Sequence, residues 1–183
     1  IPQCKFILDN TNQPYAQILA SSSLEVLMTQ FWNNFSIEQK LEIRNYILNY
    51  MAVRAQNCEE FVINSLCKLV CRITKLGWFD GQEHRDIISE VNNFLEGSAD
   101  HHFVGLKLLR SLVDEMNLPN ANRTLTIHRK TAVSFRDHTL FNTFQISITT
   151  LKRVKDNDIA GMSPQISKKL MTEALHLATN CLC

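Results

Sequence analysis

The sequence predicts an all-α protein built from antiparallel pairs of helices. Apolar residues recur at steps of three and four along most of the 183 residues, and strand-type alternation is scarce. The first helices of successive pairs begin near residues 14, 57 and 101, which is a spacing close to the period of about 40 to 47 residues in HEAT and armadillo arrays. We therefore expect an α-solenoid of HEAT type, with helix pairs at 14–53, 57–96 and 101–154 and partial repeats at both ends.

The first pair has a start signal for each of its helices. Pro14 favours a helix start, because the first turn of a helix tolerates proline. Ser36 and Gln39 form the S-x-x-Q capping pattern, in which each side chain satisfies a backbone N–H of the other residue. The second helix of the pair is thus predicted over 37–53. The first helix is expected to turn one apolar side inward, made of Ile18, Leu19, Leu24, Leu27, Met28 and Phe31.

The second pair begins with a helix that is apolar on more than one side. One set of apolar residues includes Phe61, Leu66 and Ile73, and a second set includes Ile63 and Cys67. A helix that is apolar over most of its circumference needs neighbours on two sides. We expect this helix to end at Gly77 in a left-handed conformation, followed by a shorter partner over 84–96.

The third pair is predicted from similar signals. Asp100 is a plausible N-cap for a helix that runs to a break at 117–122, which contains Pro119. After the break we expect a short helix over 124–136, a long helix over 139–154, a polar linker over 156–161 and a last helix restarted by Ser163 and Pro164.

Composition excludes several classes of protein. The hydrophobic share of 45%, with only 5 Gly and 4 Pro, is enough to build a core and argues against disorder. No apolar run approaches the roughly 18 residues of a membrane span, so we expect no membrane insertion. Residues 1–122 carry 10 Lys/Arg and 14 Asp/Glu, and residues 123–183 carry 9 and 4, an excess too small for a nucleic-acid footprint. The chain begins at Ile1, and we expect it to be part of a longer protein.

The cysteines and histidines do not form a recognisable metal or disulfide pattern. Of the six cysteines, Cys58, Cys67 and Cys71 lie within apolar helical patterning, which favours reduced, buried thiols over a disulfide framework. Cys67 and Cys71 have no second pair at zinc-finger spacing. His101 and His102 diverge by about 100° on a helix, so only one can face a given site. We predict no metal and no cofactor.

Two further short patterns have an ordinary interpretation. His84-Arg85-Asp86 spells the kinase catalytic-loop triplet, but Val91 stands where a magnesium-binding Asn is needed, and the chain has no Gly-rich phosphate loop. The two sequons, Asn34-Phe35-Ser36 and Asn122-Arg123-Thr124, are attributed to chance because the cysteines indicate a reducing compartment. The sequence therefore argues against an enzyme.

Two basic clusters are open to two interpretations. One contains His128, Arg129, Lys130 and Arg136, and the other contains Lys152, Arg153 and Lys155. Each is either a solvated helix face or a site for an anion or a protein partner. A solenoid offers a long wall for binding a protein.

Three runs of residues go beyond generic helix patterning. Ile43-Arg44-Asn45-Tyr46-Ile47-Leu48-Asn49-Tyr50, Arg72-Ile73-Thr74-Lys75-Leu76-Gly77-Trp78-Phe79-Asp80 and Phe135-Arg136-Asp137-His138-Thr139-Leu140-Phe141 closely resemble the amino-terminal region of the exportin 7 (Ran-binding protein 16) family of the importin-β superfamily. The resemblance spans the chain from about Cys4 to Cys183. The string Thr74 to Asp80 is the most specific, because helix propensity alone gives it no reason to recur.

The resemblance implies a non-enzymatic nuclear transport receptor. Such receptors bind the GTP form of the small GTPase Ran and protein cargo, pass nuclear pore proteins, and shuttle between nucleus and cytoplasm. The amino-terminal repeats of the superfamily contact Ran, largely through the second helix of each pair. Transferred to this sequence, the contact would lie on 37–53 and 84–96.

On these two helices we select polar residues that share a side. Asn45 and Asn49 are one helical step apart, with Arg44 beside them, and Asp86, Glu90 and Asn93 follow at steps of four and three. These six residues are the Ran-binding candidates, and ordinary solvation of a helix is the alternative. Trp78 and Phe79 would suit a binding hot spot, but packing of the loop between helices is favoured.

Two rival functions remain at this stage. One is a HEAT-repeat assembly scaffold without a GTPase partner. The other is an enzyme in an unusual helical fold, which would need a closed pocket that gathers His84, Asp86 and a bound ion.

Overall fold

The structure, a computed structural model, describes residues 1–119 and 123–183. Over these residues it is helical without a β-strand, and the predicted all-α fold class of HEAT type is confirmed. The chain separates into two compact units, Ile1–Arg85 and Asp86–Cys183. The predicted break at 117–122 and the sequon at Asn122 fall partly on residues 120–122, which lie outside the described residues. The grouping of the helices into repeats stays a prediction.

Unit Ile1–Arg85 contains five α-helices. They are α1 (Pro2–Asn10), α2 (Pro14–Gln30), α3 (Ile37–Arg54), α4 (Glu60–Leu76) and the single turn α5 (Gln82–Arg85), with 3₁₀ turns at Trp32–Asn34 and Ala55–Asn57. The predicted capping box before α3 is present: the Gln39 backbone N–H donates to Ser36 Oγ at 3.3 Å, and the Ser36 backbone N–H donates to Gln39 Oε1 at 3.0 Å. Pro14 is the first residue of α2, as predicted.

Helix α4 is covered on two sides, as its sequence requires. It packs against both α2 and α3. Its buried residues come from both predicted sets, among them Leu66, Ile73, Ile63 and Cys67, whereas Phe61 of the first set is exposed. Removing apolar surface from water stabilises a fold by about 25 cal/mol per Å². The buried side chains of α4 and its two neighbours therefore form the core of this unit.

The inward side of α2 differs from the prediction. Leu19 is 63% exposed and Phe31 is also exposed, whereas Gln17 and Ser21 are buried. Gln17 Nε2 donates to the Tyr50 hydroxyl oxygen at 3.0 Å, and the hydroxyls of Ser21 and Ser65 lie 2.7 Å apart. These hydrogen bonds satisfy buried polar groups between α2 and α3 and between α2 and α4, which hydrophobic periodicity does not detect.

Unit Asp86–Cys183 is built around α7. Helix α6 (Ile87–Leu95) packs on α7 (Ala99–Asn117), and α10 (Pro164–Leu182) packs on both α7 and α9 (Phe141–Lys155). The buried carboxylate of Glu173 on α10 pairs with Arg110 on α7, with Oε1 3.1 Å from Arg110 Nε. The predicted restart of α10 is confirmed, since Ser163 Oγ accepts from the Ile166 backbone N–H.

A π-helical turn joins the two helices predicted over 124–136 and 139–154. Helix α8 (Leu125–Phe135) continues through the π turn Arg136–Leu140 directly into α9. The third of the three distinctive runs, Phe135 to Phe141, is therefore this turn with its flanking residues. Single π turns insert one extra residue per turn and are often found at functional sites.

Three details of the predicted helices are wrong. The helix predicted over 84–96 is divided, because α5 ends at Arg85 and α6 begins at Ile87. The N-cap of α7 is Ser98 rather than Asp100, which lies in the first turn, where its charge complements the helix dipole. Gly77 follows α4 with φ −89°, so it is not in the left-handed region. In the described part of the chain, the left-handed residues are Asn157 and Gly161, in the linker before α10. Among the described residues, no helix is long and apolar enough to cross a membrane.

Candidate partner-binding surface

Helix α3 places two of the candidate residues on the surface. Its buried side carries Ile43, Ile47 and Met51, and these three residues face the core of the unit. Asn45 and Asn49 are exposed one helical step apart. Their amides each carry a donor and an acceptor, so they form a small uncharged polar surface.

Arg44 does not lie on that surface. The prediction grouped it with exposed polar residues, but its side chain is buried, with only 3% exposed. Arg44 Nη1 donates to the Glu83 backbone oxygen at 2.8 Å, and its Nε and Nη2 donate to Asn45 Oδ1, each at 3.3 Å. The guanidinium thus connects α3 to α5, and its hydrogen bonds to Asn45 Oδ1 orient the amide of Asn45.

Helix α1 is fastened to α3 by polar contacts. Lys5 Nζ lies 2.6 Å from Glu42 Oε1, and the Tyr46 hydroxyl donates to Asp9 Oδ1 at 2.8 Å. Burial and the Asp9 carboxylate raise the pKa of Tyr46, so its hydroxyl stays protonated and keeps donating. Arg54 Nη2 donates to the Asp9 backbone oxygen at 2.9 Å. These polar contacts hold α1 beside α3, while α1 itself packs on α2.

The remaining candidates lie at and on α6, in the other compact unit. Asp86 precedes the helix and is exposed, Glu90 is half-buried, and Asn93 is exposed. The buried residues of α6, which include Ile87 and Val91, occupy a different side. Asp86, Glu90 and Asn93 therefore share a solvent-facing side, as the helical steps predict.

The distinctive string that ends at Asp80 builds the loop after α4. Trp78 is 1% exposed, so packing rather than partner contact accounts for it, whereas Phe79 is 55% exposed. The Asp80 carboxylate accepts two hydrogen bonds at Oδ2, from Trp32 Nε1 at 3.0 Å and from Lys40 Nζ at 3.1 Å. Lys40 Nζ also lies 4.2 Å from the centre of the Trp32 ring, in cation–π geometry.

His84 closes this loop from the α5 side. Its ring is fully buried, tilted against Trp32 with 6.0 Å between ring centres, and neither ring nitrogen has a hydrogen-bond partner among the described residues. Burial, assisted by the positive charges of Arg44 and Lys40, lowers the pKa of His84 to about 4. His84 is therefore neutral at physiological pH and acts as a packing group.

The sequence did not predict the cluster of Trp32, Lys40, Asp80 and His84. These residues come from three separate segments, and only their contact in the fold reveals the role of each. The string at 74–80 is the one distinctive signal in the sequence. The hydrogen-bond donors to its Asp80, Lys40 and Trp32, lie 40 and 48 residues away and follow no local pattern.

The structure does not assemble the pocket that the enzyme alternative required. His84 is buried against Trp32, with the charges of Arg44, Lys40 and Asp80 near enough to act on its pKa, while Asp86 is exposed to solvent. Cys67 and Cys71 are buried and are not joined in a disulfide. Within 1–119 and 123–183, the structure brings no three His, Cys, Asp or Glu side chains together in a way that would hold a metal ion.

Comparisons with known proteins give a consistent result. Residues 1–53, which hold α1 and nearly all of α3, match the family model of the importin-beta N-terminal domain. Over its whole length the chain is 37% identical to Exportin-7-B of Xenopus laevis, 37% identical to Ran-binding protein 17 of Mus musculus and 34% identical to Ran-binding protein 16 of Drosophila melanogaster. The chain spans 17% of the length of each of these relatives. No solved structure matches the chain.

We expect Gly77→Ala to destabilise the fold by about 1–3 kcal/mol. A Cβ at this position would lie 2.5 Å from three atoms of the His84 ring. Because this ring is buried, the backbone or the ring would have to shift to relieve the clash. Urea unfolding followed by circular dichroism measures the loss. Gly81→Ala is the matched control, because its Cβ would meet only the mobile end of the Glu83 side chain at 2.5 Å. Equal stability of the two variants would contradict the packing role of Gly77.

We also expect stability to fall as pH is lowered from about 6.5 to 4. Burial lowers the pKa of His102 to about 4, as it does for His84, so each histidine binds a proton more readily when unfolded. Their stabilising contribution is complete above pH 6.5 and is lost as pH falls through the folded pKa, at a cost on the order of 2–3 kcal/mol each.

The urea midpoint at pH 7 and at pH 4.5 measures this dependence. In His84→Phe, the buried ring is kept without a titrating group, so the difference between the two midpoints should shrink. An unchanged difference in that variant would show that His84 does not contribute to the acid sensitivity.

Proposed function

The chain belongs to the exportin 7 family of the importin-β superfamily, and on that premise we propose that it is the amino-terminal part of a nuclear export receptor. The proposed partners are the GTP form of Ran, a protein cargo and nuclear pore proteins, and the proposed location is the nucleus and cytoplasm with shuttling between them. The observation that carries the proposal is the similarity to Ran-binding proteins along the full length of the chain. The match of residues 1–53 to the importin-beta N-terminal domain supports the same assignment.

We propose that Ran in its GTP form contacts the exposed amides of α3. Asn45 and Asn49 are the direct contacts, and Arg44 is a positioning residue because its buried guanidinium holds Asn45 Oδ1. An amide oriented before binding loses less conformational entropy when a partner is bound. This role for Arg44 replaces the surface contact expected from the sequence.

A second proposed contact is the side of α6 that carries Asp86, Glu90 and Asn93. Two carboxylates on one side favour a basic surface on the partner. Exposed charges of this kind mainly raise the association rate and suppress wrong partners, and they add little to the final affinity. We therefore assign specificity to α3 and electrostatic steering to α6.

The proposed mechanism is a linkage between Ran and cargo. If both bind more tightly to the same conformation of the receptor, each raises the affinity of the other by the same factor, typically worth about 1–3 kcal/mol. Hydrolysis of GTP by Ran would remove the form of Ran that raises the affinity of the receptor for cargo, and the cargo would then be released. No step of this mechanism requires catalysis by the receptor.

The first test compares Ran loaded with a non-hydrolysable GTP analogue and Ran loaded with GDP. We expect the immobilised chain to bind the GTP form measurably more tightly in biolayer interferometry. Equal binding of the two forms, or binding of neither, would favour a HEAT-repeat scaffold without a GTPase partner.

A second test concerns the residues. We expect the double variant Asn45→Ala, Asn49→Ala to weaken binding of the GTP form by about tenfold, because two interface hydrogen bonds of ordinary strength are lost. Alanine is the best helix former, but Asn45→Ala also removes the acceptor of Arg44 Nε and Nη2. Circular dichroism of the double variant therefore has to match that of the unmodified chain before the affinities are compared. Gln30→Ala, an exposed amide on α2, is the control and should bind like the unmodified chain. Equal affinity of the double variant and the control would place the contact elsewhere.

A further inference from the structure

Unit Asp86–Cys183 contains a groove that the proposed contact with Ran does not use. Helices α6 and α9 line its sides, and α7 contributes His102 at its floor. The groove has a volume of about 350 Å³, within the range of about 300–1,000 Å³ found for ligand sites. Its rim carries three side-chain amides, those of Asn92, Asn142 and Gln145, together with the hydroxyl of Thr149.

The amides on the rim are available to a ligand. Asn92, Asn142 and Gln145 are exposed, and within the described part of the chain none of their side chains makes a hydrogen bond. Each amide has an N–H₂ donor group and a carbonyl acceptor. A ligand that alternates donors and acceptors would therefore satisfy all three.

The floor and the end of the groove carry no uncompensated charge. His102 is buried and neutral, its Nδ1–H donates to the Leu95 backbone oxygen at 2.9 Å, and its Nε2 accepts from Thr150 Oγ1 at 2.9 Å. Arg153 donates to the Leu95 and Asp158 backbone oxygens at 3.3 and 3.0 Å. Its Nε also lies 3.6 Å from the Asp158 carboxylate. The groove therefore does not select for an anion.

The dimensions of the rim fit an extended polypeptide. Asn142 and Thr149 are seven residues apart on α9, which corresponds to about 10.5 Å along the helix axis. Three residues of extended chain cover about 10 Å, and their backbone N–H and C=O groups alternate in direction. Ile88 and Ile146 also line the groove, so an apolar side chain of the peptide would be partly buried there.

We propose that this groove binds an extended peptide segment of a protein partner, through hydrogen bonds from Asn92, Asn142 and Gln145 to the peptide backbone. A nucleic acid would need free cationic groups to neutralise its phosphates, and the one arginine of the groove is engaged with Leu95 and Asp158. An amphipathic helix satisfies its own backbone groups and would leave the three amides without partners.

The probe for this site is the capped pentapeptide acetyl-Ala-Leu-Ala-Leu-Ala-amide, added to the isotopically labelled full chain. Nitrogen–proton correlation spectra report the side-chain N–H₂ signals of asparagine and glutamine directly. We expect those of Asn92, Asn142 and Gln145 to shift in a concentration-dependent manner. The same peptide with N-methylated peptide bonds lacks the backbone donors and should bind about tenfold more weakly.

Variants separate this site from other surfaces. Asn142→Ala with Gln145→Ala should reduce peptide affinity about tenfold, whereas Gln165→Ala, an exposed amide on α10, should not change it. Binding of Ran in its GTP form should be the same in both variants, so failure here is distinguishable from failure of the proposed function. Absence of shifts, equal binding of the N-methylated peptide, or larger shifts with an oligouridine probe would each overturn the proposal.

Discussion

Helix α4 must be covered on two sides, and the arrangement of unit Ile1–Arg85 depends on that constraint. Its apolar residues extend over more than one side, so both α2 and α3 are required to remove them from water. The α2 contact is completed by polar pairs, including Glu25 Oε1 with Lys68 Nζ at 3.1 Å and with Arg72 Nη2 at 3.6 Å. Helix α3 packs on α4 and makes polar contacts with α1, and Asn45 and Asn49 stay exposed.

The string from Gly77 to Asp80 serves packing rather than binding. The His84 ring occupies the space that a side chain at Gly77 would need, and Trp78 is buried. Asp80 accepts hydrogen bonds from Trp32 and Lys40. Each of these three roles depends on the residue type at its position. Gly77 and Trp78 are buried, whereas Phe79 and Asp80 are exposed.

Local signals in the sequence predicted helix boundaries well, because their physical cause is local. Ser36 with Gln39 and Ser163 with Pro164 mark helix starts through contacts within one turn. The burial of Arg44 could not be predicted, because it depends on a carbonyl 39 residues away. The π turn at 136–140 also has no local pattern, and the sequence predicted only two separate helices there, over 124–136 and 139–154. The amide groove required three helices to be placed before its lining residues could be recognised.

Helix α6 has three distinct sides, and this bears on how one short helix would serve two partners. Its core side packs on α7, Asn92 and Ile88 face the groove, and Asp86, Glu90 and Asn93 lie on a further side. At 100° per residue, the groove side and the charged side are separated by roughly half a turn of the helix. A peptide in the groove and a basic partner on the charged side would therefore not compete for the same atoms. Any coupling between them would have to pass through the packing of α6 on α7, where the buried Val91 and Phe94 hold the helix in place.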